Sequence, residues 1–295
     1  MTSNRLAPGR RDRALLIAAV AITIFSWASA FVAIRAAGAD IRPGALTLGR
    51  LVVGAILLGA LQLRAAWVTP TRREWLLMAG CGVAWFAVYS VALNAAERQL
   101  DAGTTAMLVN IGPVFVAILA GTLLREGLPR WLLIGAMVSL GGVAVIALAP
   151  ASTGPLDPDG VLLSLLAAAS YSVAVIFQKV ALRRLPALQV TWISCTVGTI
   201  VCTPFAGHLA ADLERAPLGS ILGVLYLGAV PTALAFTTWA YALARTDAGR
   251  LGVTTYLVPP VTVLISLLVL SETPLPLQLA GGALCLAGVG LSRRR

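Results

Sequence analysis

The sequence predicts an all-α polytopic membrane protein with ten transmembrane helices arranged as two inverted five-helix repeats. Four observations carry this expectation. Of 295 residues, 59% are hydrophobic and 12% charged, with a mean hydropathy of +0.90. The apolar residues fall in runs of about twenty, the length of helix that crosses a bilayer core. The same polar punctuation also recurs 146 residues apart: Asp101, Ala102, Gly103, Pro113, Glu126, Gly135 and Gly142 match Asp247, Ala248, Gly249, Pro259, Glu272, Gly281 and Gly288. Finally, the cations gather in alternate segments between the runs.

The spans run from 14 to 34, 45 to 63, 75 to 96, 102 to 124, 131 to 149, 160 to 180, 187 to 205, 219 to 243, 249 to 270 and 275 to 292. Each is too long for a membrane strand. Between residues 101 and 146, eleven of 46 positions are identical to their counterparts, and the Asp, Pro and Glu among them are not what an alanine-leucine bias supplies. With the N-terminus inside, the inner segments hold 17 Lys and Arg; the outer loops hold four, Arg35, Arg42, Arg98 and Arg215. Cations flanking spans stay on the cytoplasmic side, so both termini are expected there. The net charge of +10 therefore encodes topology, and no nucleic-acid partner is expected.

The division that follows is a cytoplasmic tail at 1–13, a first repeat at 14–149, a Pro- and Asp-rich outer linker at 150–159, a second repeat at 160–292 and a basic tail at 293–295. Arg10 to Arg13, the apolar run and Ala28-Ser29-Ala30 imitate a secretory leader. The match to the second half runs through this helix, so cleavage would remove a repeat element. Five is odd, so the second copy enters the membrane from the opposite side. Glu126 then lies at the inner mouth and Glu272 at the outer. Arg35 ends the first span outside and Lys179 the sixth inside. Inverted repeats let a site on their pseudo-two-fold axis open to each side in turn.

Phe25-Ser26-Trp27-Ala28-Ser29-Ala30-Phe31 followed by Arg35, then Leu48-Gly49-Arg50, and the blocks from Pro113 to Glu126 and Pro259 to Glu272 resemble the EamA family of the drug/metabolite transporter superfamily, over residues 15 to 292. The resemblance implies two inverted five-helix repeats and the permeation or export of amino acids and other small metabolites across the cytoplasmic (inner) membrane. One departure is that Arg50 has no cationic counterpart, the matching position falling near Trp192 or Ile193.

Pro113, Pro259 and Pro260 fall near mid-membrane, where a proline frees the carbonyl four residues earlier and bends the helix. The freed oxygens of Val109, Thr255 and Tyr256 need partners in protein or in a wet cavity. These prolines are candidate hinges. Trp27, Tyr89, Asn94, Asn110, Tyr171, Gln178, Trp239 and Tyr256 are candidate cavity residues: aromatic faces with a few amides and hydroxyls suit a small amphipathic solute. Ser26 and Ser29 share the first helix with Trp27, whereas Trp75 and Tyr241, near span ends, read as interfacial anchors.

Few ionisable groups occupy the spans. Arg50 is the exception, open to two readings: a partner for solute or helix, or an anchor snorkelling to the outer surface. If protons drive transport, Glu126 and Glu272 are the candidate gating or coupling carboxylates. His208 is expected in an outer loop. No cofactor or metal is expected, and Cys81, Cys195, Cys202 and Cys285 read as small packing residues. Small-residue ladders at Gly135, Ser139 and Gly142 and at Gly281, Cys285 and Gly288 permit close helix contact, internally or between copies as homodimer faces. A membrane enzyme would need paired carboxylates, a histidine cluster or an activated nucleophile in the bilayer, and the sequence offers none. The alternative to solute transport is a lipid-handling or regulatory membrane protein.

Overall fold

The computed structural model describes residues 10–100, 105, 108–147, 157–270, 276–292 and 294. Asp101 to Gly103, Glu272 and most of the 150–159 linker lie outside these. The described residues contain helices and their connections, with no strand among them.

The first half contains α1 (Arg10–Gly38), α2 (Pro43–Gln62), α3 (Arg72–Gln99), α4 (Gly112–Leu123) and α5 (Arg130–Ala147). The second contains α6 (Pro158–Ala181), α7 (Ala187–Val201), α8 (Thr203–Leu213), α9 (Leu218–Arg245), α10 (Ala248–Thr254), α11 (Val258–Leu270) and α12 (Pro276–Ser292). Local chemistry sets the starts. Pro43 and Pro158 open their helices, where the missing amide would be unbonded anyway. Thr71 and Glu74 form a reciprocal capping box on α3, and the Asp157 carboxylate accepts from the amides of Asp159 and Gly160.

Among the described residues five helices, α1, α2, α3, α6 and α9, are long and apolar enough to cross a membrane, and α7 with α8, bent by 51°, brings the number to six where that pair counts as one span. Apolar side chains such as Ile56, Leu76, Leu162 and Leu286 are exposed, a surface that suits lipid. His208 lies on helix α8 rather than in a loop: the segment after α7 stays helical and turns sharply instead of unwinding.

The halves repeat in local detail. A π-helical stretch begins at Gly82 in α3 and another at Gly228 in α9, 146 residues on. Hydroxyls five residues along satisfy widened carbonyls in each region, Ser90 to Trp85 (3.3 Å) and Thr232 to Leu227 (2.8 Å). The halves also interlock. A Cβ at Gly228 would meet the Arg50 carbonyl at 2.7 Å, and one at Gly82 would meet the Ser194 carbonyl at 2.5 Å. Thus α2 lies on α9 as α7 lies on α3. This packing moves the counterpart of Arg50 from the expected Trp192 or Ile193 to Ser194, since backbone contact defines equivalence more sharply than apolar sequence does. Ser194 is uncharged, so the cation remains unduplicated.

The two small-residue ladders meet each other. A Cβ at Gly135 would lie 2.5 Å from the Gly288 carbonyl, and one at Gly142 would lie 2.6 Å from that of Gly281. Ser139 donates to the Cys285 carbonyl (3.2 Å). Of the two readings left open, internal contact or homodimer faces, the ladders take the internal one: both lie in the contact of α5 with α12 within one chain. All four cysteines are buried and unbridged.

Candidate functional site

A cavity of about 90 Å³ opens where α1, α2 and α3 meet α6, α9 and the interrupted segments before α4 and α11. Trp27, Arg50, Tyr89, Asn110, Pro113 and Tyr171 line it together, joined by Trp85, Phe236 and Thr255. The sequence reading missed Trp85 and Phe236. Their signal was helical spacing, Trp85 lying four residues before Tyr89 and Phe236 three before Trp239.

The aromatic side chains form one cluster. Trp27 packs on Trp239 at 5.1 Å and on Phe236 at 5.5 Å between ring centroids, and Trp85 meets Phe236 at 4.8 Å and Tyr171 at 5.1 Å. Such tilted and edge-on pairs fix ring orientation while leaving polarised faces toward the space between them. Behind this wall lie three residues expected in the cavity itself. Trp239 donates its indole N–H to the Gln178 Oε1 at 3.1 Å, both buried, and so anchors the cluster from below. Tyr256 is buried against α5 and α12. Asn94 lies further out, donating to the Thr47 hydroxyl (3.0 Å) and the Pro43 carbonyl (3.3 Å). The Tyr256 hydroxyl has no partner among the described residues, and that of Tyr171 lies close to Thr255 without completing a hydrogen bond.

Arg50 is only 7% exposed, and its Nε donates to the Thr232 hydroxyl at 3.1 Å in the π stretch of α9. The snorkelling reading is thereby set aside, because the side chain crosses to another helix and borders the cavity instead of reaching outward.

The prolines behave differently from mid-helix kinks. The backbone turns at Asn110 and Ile111, α4 starts at Gly112, and Pro113 occupies its first turn. A 3-10 turn over Thr255–Leu257 likewise precedes α11, with Pro259 and Pro260 in its first turn. The two breaks are 146 residues apart. Each proline sits where a helix has no amide to bond, so the interruption costs less than a kink and leaves polar backbone at the cavity, where Val109 and Thr255 border it.

Glu126 reaches across the halves. Arg125 (φ 57°) and Gly127 (φ 79°) turn the chain sharply after α4, and the Glu126 Oε2 then accepts from the amides of Ala248 (2.7 Å) and Gly249 (3.4 Å) at the start of α10. The carboxylate meets a helix N-terminus, its favourable end. Burial lifts this carboxyl above its ordinary value, opposed by the Lys179 cation and the Gly249 amide. The Lys179 ammonium in turn donates to the carbonyls of Leu243 (2.7 Å) and Thr246. Glu272 falls outside the described residues.

Glu97 went unnoticed because the expected third span stopped at 96, whereas α3 continues to Gln99. It lines a larger space of about 260 Å³ together with Arg35, Asn94 and Arg98.

Two stretches, residues 14–148 and 159–294, match the model of the EamA-like transporter family. The chain belongs to this family. It is 34% identical over 277 residues to a probable terminal-alkyne amino-acid exporter of Streptantibioticus cattleyicolor, covering 94% of this chain and 93% of the relative. An uncharacterized transporter of Bacillus subtilis is 30% identical, covering 95% and 91%. A probable amino-acid metabolite efflux pump of Salmonella typhimurium is 27% identical over 69% and 71%. A crystal structure with 20% identity superposes with a TM-score of 0.78, covering 94% of this chain and 96% of that one, and shares the fold. This EamA protein is a small-molecule membrane transporter, multi-pass and built of two repeats.

Proposed function

We propose that this EamA transporter exports or exchanges amino acids or related small amphipathic solutes through the aromatic cavity, by alternating access between two inverted five-helix repeats. The observation that carries the reading is the pair of helix breaks, 146 residues apart, that flank a cavity lined from both halves. At about 90 Å³ the cavity is smaller than the roughly 300 Å³ or more of a typical ligand site, so admitting solute requires the halves to move apart. Trp27, Trp85, Tyr171 and Phe236 supply apolar area, while Arg50, Asn110 and Thr255 supply orientation. Trp239, Gln178, Tyr256 and Asn94 hold this lining from behind and from the outer side. Glu126 acts as an inner-side latch between the halves, and Pro113, Pro259 and Pro260 mark the hinges.

In this reading the ten predicted runs each cross the cytoplasmic (inner) membrane, with both termini in the cytoplasm. No catalytic step is assigned; the chain moves solute without altering it. The names of two relatives, an amino-acid exporter and an amino-acid metabolite efflux pump, support the solute class.

The test is release of labelled compounds from proteoliposomes loaded with a mixed metabolite extract, with and without an imposed pH gradient. Selective loss of amino compounds is the expected result, and its dependence on the gradient separates proton exchange from facilitated passage. Folded protein that releases nothing would redirect the reading toward lipid handling or regulation.

A further inference from the structure

We infer that Glu97 reads the ammonium group of the solute, in a vestibule adjoining the aromatic cavity, while Arg50 takes the solute's carboxylate. The inference rests on the transport reading above and narrows it to zwitterions. Ile34 lines both spaces, so the vestibule adjoins the cavity. One stripe of α3 paves the route: Ser90 and Leu93 face the cavity, Asn94 and Glu97 the vestibule, at the i, i+3, i+4 and i+7 spacing of a single helix face.

Glu97 has no evident structural task. Its Oε1 is buried with no hydrogen-bond partner, and among the described residues no cation comes within ion-pair distance of it. The neighbouring helix end is served by Arg98, which donates to the carbonyls of Gly38 (3.0 Å) and Ile41 (3.1 Å). The second half shows what a structural solution looks like. There Leu243 stands at the position of Glu97, and Lys179, the counterpart of Arg35, is held by the Leu243 and Thr246 carbonyls. The first half keeps instead a carboxylate with a buried, unfilled oxygen in the wall of the vestibule.

A carboxylate within a membrane-spanning helix is retained at a cost and marks a solute or ion path, and Glu97 lies in the last turn of α3. An ammonium brings three donors and the opposite charge. Arg35 and Arg50 lie near enough for their charge to act on Glu97 without contacting it. Arg50, with one nitrogen committed to Thr232, keeps a planar fork suited to a carboxylate. A solute spanning the two stations carries both charges and presents its side chain to Trp27, Trp85 and Phe236.

The probes are phenylalanine, 3-phenylpropionate, which lacks the amine, and phenylalaninamide, which lacks the carboxylate. Binding to purified protein in detergent is measured for wild type, Glu97→Gln and Arg50→Gln. Wild type is expected to prefer phenylalanine to either analogue by about tenfold or more. Glu97→Gln should erase the preference over 3-phenylpropionate alone, and Arg50→Gln the preference over the amide alone. Glu97→Asp, which keeps the charge, should retain discrimination; it carries the test if the glutamine variant does not fold. Uniform loss across all three compounds, or unchanged discrimination in the variants, overturns the inference. So does wild type that fails to bind phenylalanine while releasing solutes without an amino group from vesicles, a result that leaves transport itself standing. Absence of any release removes the transport reading as well.

Discussion

Trp27 touches Trp85, Phe236 and Trp239 at once, so its indole is both a wall of the cavity and a brace for the other rings. Removing it in Trp27→Ala should raise the half-saturating solute concentration on the order of tenfold, the loss of about 1.5 kcal/mol of oriented aromatic contact. Asn110→Ala should weaken affinity in the same direction, and unaltered saturation curves for both variants would move the solute elsewhere. Glu126 offers a pH readout. Its carboxyl is lifted above the ordinary 4.5, first by burial, so between the ordinary and the raised value the folded protein binds more protons here than the unfolded chain does. Native stability should therefore fall as pH rises from the ordinary carboxylate value through the raised one. Thermal unfolding of detergent-solubilised protein should show this slope for wild type and a flatter one for Glu126→Gln; identical slopes would assign the titration to another group. The same variant should insert normally but turn over more slowly, because the amide loses the charge that meets α10.

Between helices, contact is set by glycines whose absent Cβ atoms let backbones touch. Gly228 sits with its Cβ position 2.5 Å from the Val53 Cβ, and Gly82 with its position 2.8 Å from the Val197 Cβ. Either Gly228→Ala or Gly82→Ala overpacks the seam where one half lies on the other and should destabilise the fold by about 1–3 kcal/mol. The two effects should be similar in size because the seams are copies, which unfolding of the two variants side by side would check. The interruptions before α4 and α11 belong to the same scale. Pro113→Ala restores an amide at the first turn and lets helix extend back through Asn110. Slower flux with preserved stability is the expected result, and unchanged flux would deny this break a part in the cycle.

For the whole molecule, the interlock of halves explains why neither repeat would make the cavity alone. The first repeat contributes Trp27, Arg50, Tyr89 and Asn110, and the second contributes Tyr171, Phe236 and Thr255. Relative movement of the halves must therefore reshape the site. The expected orientation is tested with reporters fused to either end: both should be accessible only from the cytoplasmic side, as the distribution of 17 inner cations against four outer ones requires. An external reporter at either end would invert the assignment of inner and outer mouths, placing Glu126 outside and Glu97 inside.

The amino-acid order alone determined the helical class, the duplication and most helix positions, because lipid demands long apolar runs and a copied gene leaves a constant offset. It also exposed Trp27, Tyr89, Asn110 and Tyr171, since a large polar-tipped ring or an amide deep in a span has few bland uses. It could not show that Pro113 and Pro259 begin helices instead of kinking them, because that depends on where the preceding turn closes. Tertiary structure alone decided which aromatic side chains share a space, that Arg50 spans to Thr232, and that the glycine ladders of α5 and α12 consume each other. Glu97 belongs to the same group: a span boundary drawn from hydropathy stopped one residue short of it. Hydropathy averages over neighbours, whereas burial is a property of the one atom and of the helices that fold around it.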